Sequence, residues 1–463
     1  MNLKRRSFLA ITGGLAFGGC TSMSSGDQSD DDPNSSDERS TEPSRDVRRR
    51  VGNELSLDEL EERSDRLISD VSGIEALPEE DVSGETIGIA QPETPYRTTR
   101  WIDIIGDSIT LLFQSPFAED DTPIISVDDG ANVGGVRFGD ESPTEDITVI
   151  NYGYDGNYEH QDQAVEHLNG LHFESVEDFI VEHAHLQNTS PHHEYLGHDA
   201  HGAGGEGVNV ESDCREYEIR HVHGESIGDQ LVQVRGENAI VEDITEVNGF
   251  DRTVSVSFSN DMVVRDVASV DNKDGAVVGL SGASDCLVEG VYGHNSRNVI
   301  SVSNETHDVE IRDVVAEETP HTALDVRAGS HDISITTADI RDVDAEMQLG
   351  IQVNNGAYDV EFEDITIHSQ RGTWLVDLVP DADKEIILRD ITLLSDGDGN
   401  ITRAIRDGIG GQYRDIMIDV GTVGQDEEIL IQDSAVNATF EGLEWGETIE
   451  DNGEETVINE SEP

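Results

Sequence analysis

A short pattern recurs along most of this chain and leaves few folds open to it. The pattern is apolar, any residue, Asp-like, apolar. It reads VEDIT at 241–245, VRDVA at 264–268, VEGVY at 288–292, IRDVV at 311–315, ITTAD at 335–339, FEDIT at 362–366, LRDIT at 388–392 and YRDIM at 413–417. Two earlier copies are VEHAH at 181–185 and IRHVH at 219–223. Its third position is held in turn by His183, His221, Asp243, Asp266, Gly290, Asp313, Thr337, Asp364, Asp390 and Asp415. After the first gap the copies are 22–27 residues apart. A second short β-branched segment precedes each copy, as in VSVSF at 254–258 and VISVS at 299–303, and a Gly-, Ser-, Asn- and Asp-rich turn separates the two. Self-similarity at this period means stacked units that bury apolar surface only against their neighbours. Strand, turn, strand, loop predicts an all-β, right-handed, single-stranded parallel β-helix of about 22–27 residues per coil. Helical solenoids are excluded, because no stretch of the body sustains a 3.6-residue period.

The ends are different. Met1–Cys20 places Lys4, Arg5 and Arg6 before an apolar run too short for a permanent membrane helix. The string RRSFL resembles a twin-arginine export signal, and Gly18-Gly19-Cys20 suits lipidation of Cys20. The expectation is export and anchoring to the outer face of the cell membrane by lipid alone. Residues 21–54 hold almost no large apolar side chains and read as a disordered acidic stalk. Residues 55–72 read as one amphipathic capping helix, with Ser56 and Glu59 forming a capping box and Leu60, Leu67, Ile68 and Val71 on one face. The β-helix is expected over 73–445 and an acidic tail over 446–463. A monomer is expected.

Charge excludes one class of partner. The chain has 99 acidic and 29 basic residues, for a formal charge of −70, and its only lysines are Lys4, Lys273 and Lys384. No basic stripe for nucleic acid exists. Self-repulsion of this size becomes tolerable in molar salt, where the Debye length is about 3 Å. An acidic, Lys-poor composition of this kind resembles that of haloarchaeal secreted proteins. Beyond Cys20 the cysteines are Cys214 and Cys286. About three coils, or about 14 Å, separate them, so no bond is expected where Cα atoms must lie within about 7 Å.

Residues 85–445 resemble the pectin-lyase-like superfamily of right-handed β-helices. WIDIIGDSITL at 101–111 and ITVINYGYDGN at 147–157 are similar to the opening segments of many such carbohydrate-active proteins. NGFDRT at 248–253, DNKDGAVV at 271–278, NSRNVISVSNETHD at 295–308 and TALDVRAGSHD at 322–332 resemble successive rungs of mannuronan C5-epimerases. That resemblance implies acidic roles for Asp251 and Asp274 and a basic one for Arg297. It departs at Asn248, where the family has Tyr, and at Thr253, where it has His. A polygalacturonase-type hydrolase is no better matched, since neither its paired Asp-Asp nor its Gly-His-Gly is present.

The residues opening successive second strands are Glu206, Asp229, Asp251, Asp274, Arg297 and His321. The repeat puts them near one line on one face, about 5 Å apart. Stacked carboxylates share a cation, with Ca²⁺ the candidate, or hold a proton between two. Two carboxylates beside an arginine suit uronic-acid chemistry. The cation neutralises the substrate carboxylate, and a base and an acid then move protons. Asp229, Asp251, Asp274, Arg297 and Lys273 are the candidate catalytic residues. Glu206, His198, His201 and His321 are the candidate substrate-binding residues.

Eight of 16 histidines fall between 183 and 223. His183 and His221 sit in the repeat's turn column. His192, His193, His198 and His201 lie in an insertion at 186–206, expected to wall a groove or hold a metal of unknown identity. Sequons at Asn188, Asn304, Asn400 and Asn437 are compatible with glycosylation. The resulting reading is a surface protein acting on polysaccharide as a lyase, C5-epimerase or glycoside hydrolase. The alternative is a non-catalytic glycan-binding or envelope protein.

Overall fold

The structure is a computed structural model. It describes residues 54–115, 123–139, 143–161, 168–189, 205–343, 349–369, 371–378, 385–394, 400–408, 411–419, 429–432, 438–443 and 449–460. The chain forms a parallel β-solenoid of about 12 turns, the architecture that the resemblance implied. Each coil lays its strands on those of the next in parallel register. One inward column runs Val208, Val232, Val254, Val278, Ile300, Leu324 and Ile351. All seven are buried. Each contributes about 1.5–3 kcal/mol of transfer free energy. Aromatic side chains stack between coils in the same way, through Phe138, Phe173, Phe179 and Tyr217.

Why the repeat favours Asp at its third position is a matter of backbone. His183, His221, Asp243, Asp266, Asp313, Thr337, Asp364 and Asp390 all have φ between 52° and 58°, and Gly290 has φ of 70°. The strand turns a corner there through the left-handed region, which Asn, Asp and Gly enter at least cost. Two further corners recur in each coil. Asp178, Glu216, Asn238, Asp261 and Asp285 make one, and Asn188, Ser226, Asn248, Asp271, Asn295 and Glu318 make the other, all at positive φ. Many of the chain's acidic residues therefore do backbone work. Asn248, where the epimerase resemblance failed, is one of these corners.

The N-terminal cap is shorter than expected. The helix is Leu57–Arg63, with Ser56 and Glu59 exchanging hydrogen bonds as the capping box requires. It ends at Ser64, whose hydroxyl donates to Leu60 O at 2.6 Å. Leu67 and Ile68 lie instead in a strand, Arg66–Ile68, that pairs with Thr86–Ile89 and begins the solenoid. Val71 starts a separate short helix, Val71–Ala76, and is exposed. Leu60 alone carries the cap, packed with Leu55, Ala90 and Leu112. At the other end pairing continues past 445. Ile449–Asp451 and Val457–Glu460 pair with Ile429–Ile431 and Thr439–Leu443, so part of the expected acidic tail is a coil. Ile449 and Ile458, packed against the core, explain that addition. Cys214 and Cys286 are buried free thiols, which burial pushes up to about 12 and about 11. Cys20 lies outside the described residues. Among the described residues no helix is long and apolar enough to cross a membrane.

Candidate functional site

One sheet of the solenoid carries a polar line on its outer side. Its register runs Asp103, Arg137, His172, Asn209, Gln233, Ser255, Gly279, Ser301, Asp325, Gln352, Asp377 and Arg406. The middle members Ser255, Gly279 and Ser301 are small. Beside the line run the loops that enter this sheet after each Asn248-type corner. Main-chain bonds tie these loops to one another. Phe250 N–H donates to Ile227 O at 3.0 Å, Asp274 N–H to Phe250 O at 2.8 Å, and Arg297 N–H to Asn272 O at 3.2 Å. The loops therefore place their side chains as firmly as strands would.

Asp229 and Asp251 occupy the same slot in adjacent coils, three residues before the paired Val232 and Val254. Gln230 Nε2 donates to both, at 2.8 Å to Asp251 Oδ2 and also to Asp229 Oδ1. Burial raises the Asp229 carboxyl well above the usual range, and the charges of Glu206 and Asp251 add to it. Arg252 pulls the other way. The surroundings of Asp229, further carboxylates among them, thus favour its protonated form. Glu206 is buried one position nearer its strand, at the register of Gln230, and its main-chain N–H donates to Asn169 Oδ1 at 3.2 Å.

Asp274 departs from the strict column. Gly275 takes the slot beneath Asp251, and Asp274 stands one residue earlier. Its carboxylate pairs with Arg297, whose Nη1 also donates to the Asp274 main-chain oxygen at 3.2 Å. Both side chains remain partly open to solvent. His321, half-buried in the next coil, is lowered by burial and then by the charges of Arg297 and Arg327. Lys273 is exposed at the rim, its main-chain N–H donating to Gly249 O at 3.1 Å. His198 and His201 lie outside the described residues, as does most of the 186–206 insertion expected to form a wall.

Four contributors escaped the reading of the sequence. Gln230 bridges the two aspartates. The Arg252 side chain covers Gly279, where a Cβ would come within 2.6 Å of its Cδ, and its Nη1 donates to Ser255 Oγ at 3.1 Å. Asp325, buried on the outer side of Thr322–Val326, is raised by burial against Arg327 and Arg297, and its Oδ1 has no partner among the described residues. Glu246 lies wholly buried beneath the Gly249–Asp251 loop. It accepts from Thr253 Oγ1 at 2.5 Å and from Asn272 Nδ2 at 3.5 Å, and burial pushes it up to about 8. The charged residue within ALDV was the legible signal for Asp325.

The carboxylates do not make a ready calcium cage. Among the described residues, no three of them bring ligand oxygens within 4.8 Å of one another. The Gln230 amide N–H groups stand between Asp229 and Asp251, where a bridging cation would sit.

No family model matches the chain, and no curated protein matches it in sequence. Solved structures similar to it include an A-module of an Azotobacter vinelandii mannuronan C-5 epimerase, at 12% identity and TM-score 0.41, covering 80% of this chain and 95% of that one. The catalytic domain of a GH87 α-1,3-glucanase is similar at 9% identity and TM-score 0.42, over 85% and 68%. A family 28 exopolygalacturonase from Yersinia enterocolitica is similar at 8% identity and TM-score 0.35, over 86% and 76%. Strand register establishes the coil architecture independently, and residue roles rest on the side chains above.

Proposed function

We propose that the protein is an enzyme acting on polysaccharide through acid–base chemistry, with uronate-containing chains as substrate. The observation that carries this reading is the Asp229 carboxyl, raised by burial, bridged by Gln230 to Asp251 and set beside Arg252. A uronate carboxylate paired with the Arg252 guanidinium has its charge neutralised, and its C5 proton becomes more acidic. Asp251 takes that proton. Asp229 then gives its own proton to the glycosidic oxygen as the C4–O bond breaks and a C4–C5 double bond forms. If the acid instead returns a proton to C5 from the opposite face, the outcome is epimerisation. Asp274 holds Arg297 in place, and Lys273, Glu206 and His321 border the sugar path. A chain already exported through its first 20 residues and tethered at Cys20 would meet such polymers at the cell surface. The −70 charge suits it to molar salt.

The test is a polysaccharide panel in molar salt. It is read for ultraviolet-absorbing unsaturated products, for new reducing ends and for C5 configuration by proton NMR. Unsaturated ends or inverted C5 centres, lost in Asp229→Asn, are the expected result. New reducing ends without unsaturation assign hydrolysis. A second reading, a non-catalytic glycan-binding protein, is favoured by Arg297 being already paired with Asp274. Retention of a uronan in affinity electrophoresis with no product in any channel would establish it and overturn the enzyme reading.

Two parallel tests address the setting. Cys20→Ser should release the protein from the membrane fraction; retention there removes the lipid anchor. The melting temperature should rise from low to multimolar KCl; a flat or falling curve removes the adaptation to salt.

A further inference from the structure

On a different part of the coil, two histidines break the pattern of the turn column. The backbone at this corner asks only for a residue that tolerates φ near 55°, and Asp meets that need at Asp243, Asp266 and Asp313. His183 and His221 hold the same corner in adjacent coils, and their rings stack at 4.6 Å between centroids with 12° between planes. Nothing in the backbone requires imidazoles there.

Their surroundings show what the rings are prepared for. Asp243 Oδ2 lies 2.5 Å from His221 Nδ1, which assigns the proton to that nitrogen and leaves the Nε2 lone pair facing outward. A carboxylate behind a histidine in this way orients metal-ligating imidazoles. His183 Nε2 stands 3.7 Å from Glu182 Oε1, too far for a hydrogen bond. It is close to the separation of about 3.4 Å expected for two ligands of one ion at about 2.1 Å each. His183 Nδ1 is buried with no partner among the described residues. Glu182 is available as well. Its register neighbour Arg220 turns to Glu218 and Glu242. One ligand atom from each of Glu182, His183 and His221 lies within 4.8 Å of the others, and this is the one such group among the described residues.

We infer that Glu182, His183 and His221 form a binding site for a divalent first-row transition metal such as Zn²⁺, with Asp243 orienting His221. Two imidazoles and a carboxylate suit Zn²⁺, Co²⁺ or Ni²⁺ and leave a coordination position for water. The ion would clip adjacent coils of the solenoid together.

The experiment uses the full chain, stripped of metal and titrated with Co²⁺ and Zn²⁺ in molar NaCl. Visible d–d absorption of Co²⁺ and the melting temperature are read together. His183→Asn and His221→Asn are the test variants, since Asn tolerates the left-handed corner; far-UV circular dichroism confirms their fold. The parent should bind one Co²⁺ at this site with a d–d spectrum, and Zn²⁺ should raise its melting temperature. Both Asn variants should lose the spectrum and the thermal shift, and Asp243→Asn should weaken affinity by about 10–100-fold. If the folded Asn variants bind as the parent does, the proposal fails. It fails equally if binding disappears only when His192, His193, His198 and His201 are replaced, or if the parent gives neither spectrum nor shift.

Discussion

Two faces of the same coils treat charge in opposite ways. On one, the residue before each turn-column position alternates in sign from coil to coil, in the register Glu182, Arg220, Glu242, Arg265, Glu289, Arg312. Arg220 Nε lies 3.0 Å from Glu242, Arg265 joins the same carboxylate, and Arg312 Nε donates to Glu289 at 3.0 Å. Further along, Arg389 meets Glu363 at 3.2 Å. Each of these arginines finds a carboxylate one coil away. On the other face Glu206, Asp229 and Asp251 follow one another with no change of sign, and burial together with its neighbours raises the Asp229 carboxyl. A chain with 29 basic residues places several of them where they neutralise a ladder, while at these three carboxylates Arg252 is the one arginine that pulls Asp229 down. Alternation is what stability alone favours. Like charges stacked at one coil's spacing cost stability, and such strain is characteristic of functional sites.

The largest expected difference between the faces is in turnover. Asp229→Asn and Asp251→Asn should each lower any activity found in the panel by a factor of about 10² or more. Glu242→Gln on the ladder should leave it unchanged. Neither aspartate belongs to the apolar column, so circular dichroism should be unaltered. Full activity in both aspartate variants would reduce the column to a solvated acidic stripe.

The next largest effect concerns pH and Glu246. Its folded value of about 8 stands above the ordinary 4.5, so the folded state binds a proton that the unfolded state has released between those values. The stability tied to that proton is present below about 4.5 and is lost as pH rises to about 8. Glu246→Gln keeps the shape and removes the titration. Its stability should exceed the parent's at pH 8 by up to a few kcal/mol, with the gap closing towards pH 5. Chemical denaturation at several pH values checks this. A parent and variant with parallel pH profiles would show that Glu246 is not the titrating group.

These residues also mark where the sequence was legible. The 22–27-residue period exposed the solenoid because every coil repeats one packing problem, and a common offset brought Asp229, Asp251 and Arg297 to one face. Asp274 and Glu206 each slipped by a residue, because loops gain and lose residues while strands hold register. The cap helix was read too long, since Leu67 and Ile68 fit a helical face and a first strand equally well. Gln230, Arg252 and Glu246 stayed hidden for a different reason. Their roles depend on which side of a tight corner each faces, and no period records that. The acidic turn positions, conversely, were read as part of the repeat without their cause, which is a positive φ.

The smallest effect is the sharpest test of the contrast, because it depends on sign. The same change, acid to amide, should act oppositely on the two faces. At Asp229 the amide removes a group that burial and its neighbours hold away from ionisation, so Asp229→Asn should raise the melting temperature at pH 8. At Glu242 it strips Arg220 and Arg265 of their shared partner. These side chains are partly exposed, with 18% of Glu242 and 33–40% of the arginines accessible, so the loss should be at most about 1 kcal/mol. Salt separates the two further. At molar concentration the Debye length falls to about 3 Å, and the partly exposed ladder pairs are screened. The penalty of Glu242→Gln should shrink towards zero in molar KCl. The gain of Asp229→Asn comes first from burial, which counter-ions do not relieve, and should persist. Parallel salt curves for the two variants would mean that both faces are simply surface charge.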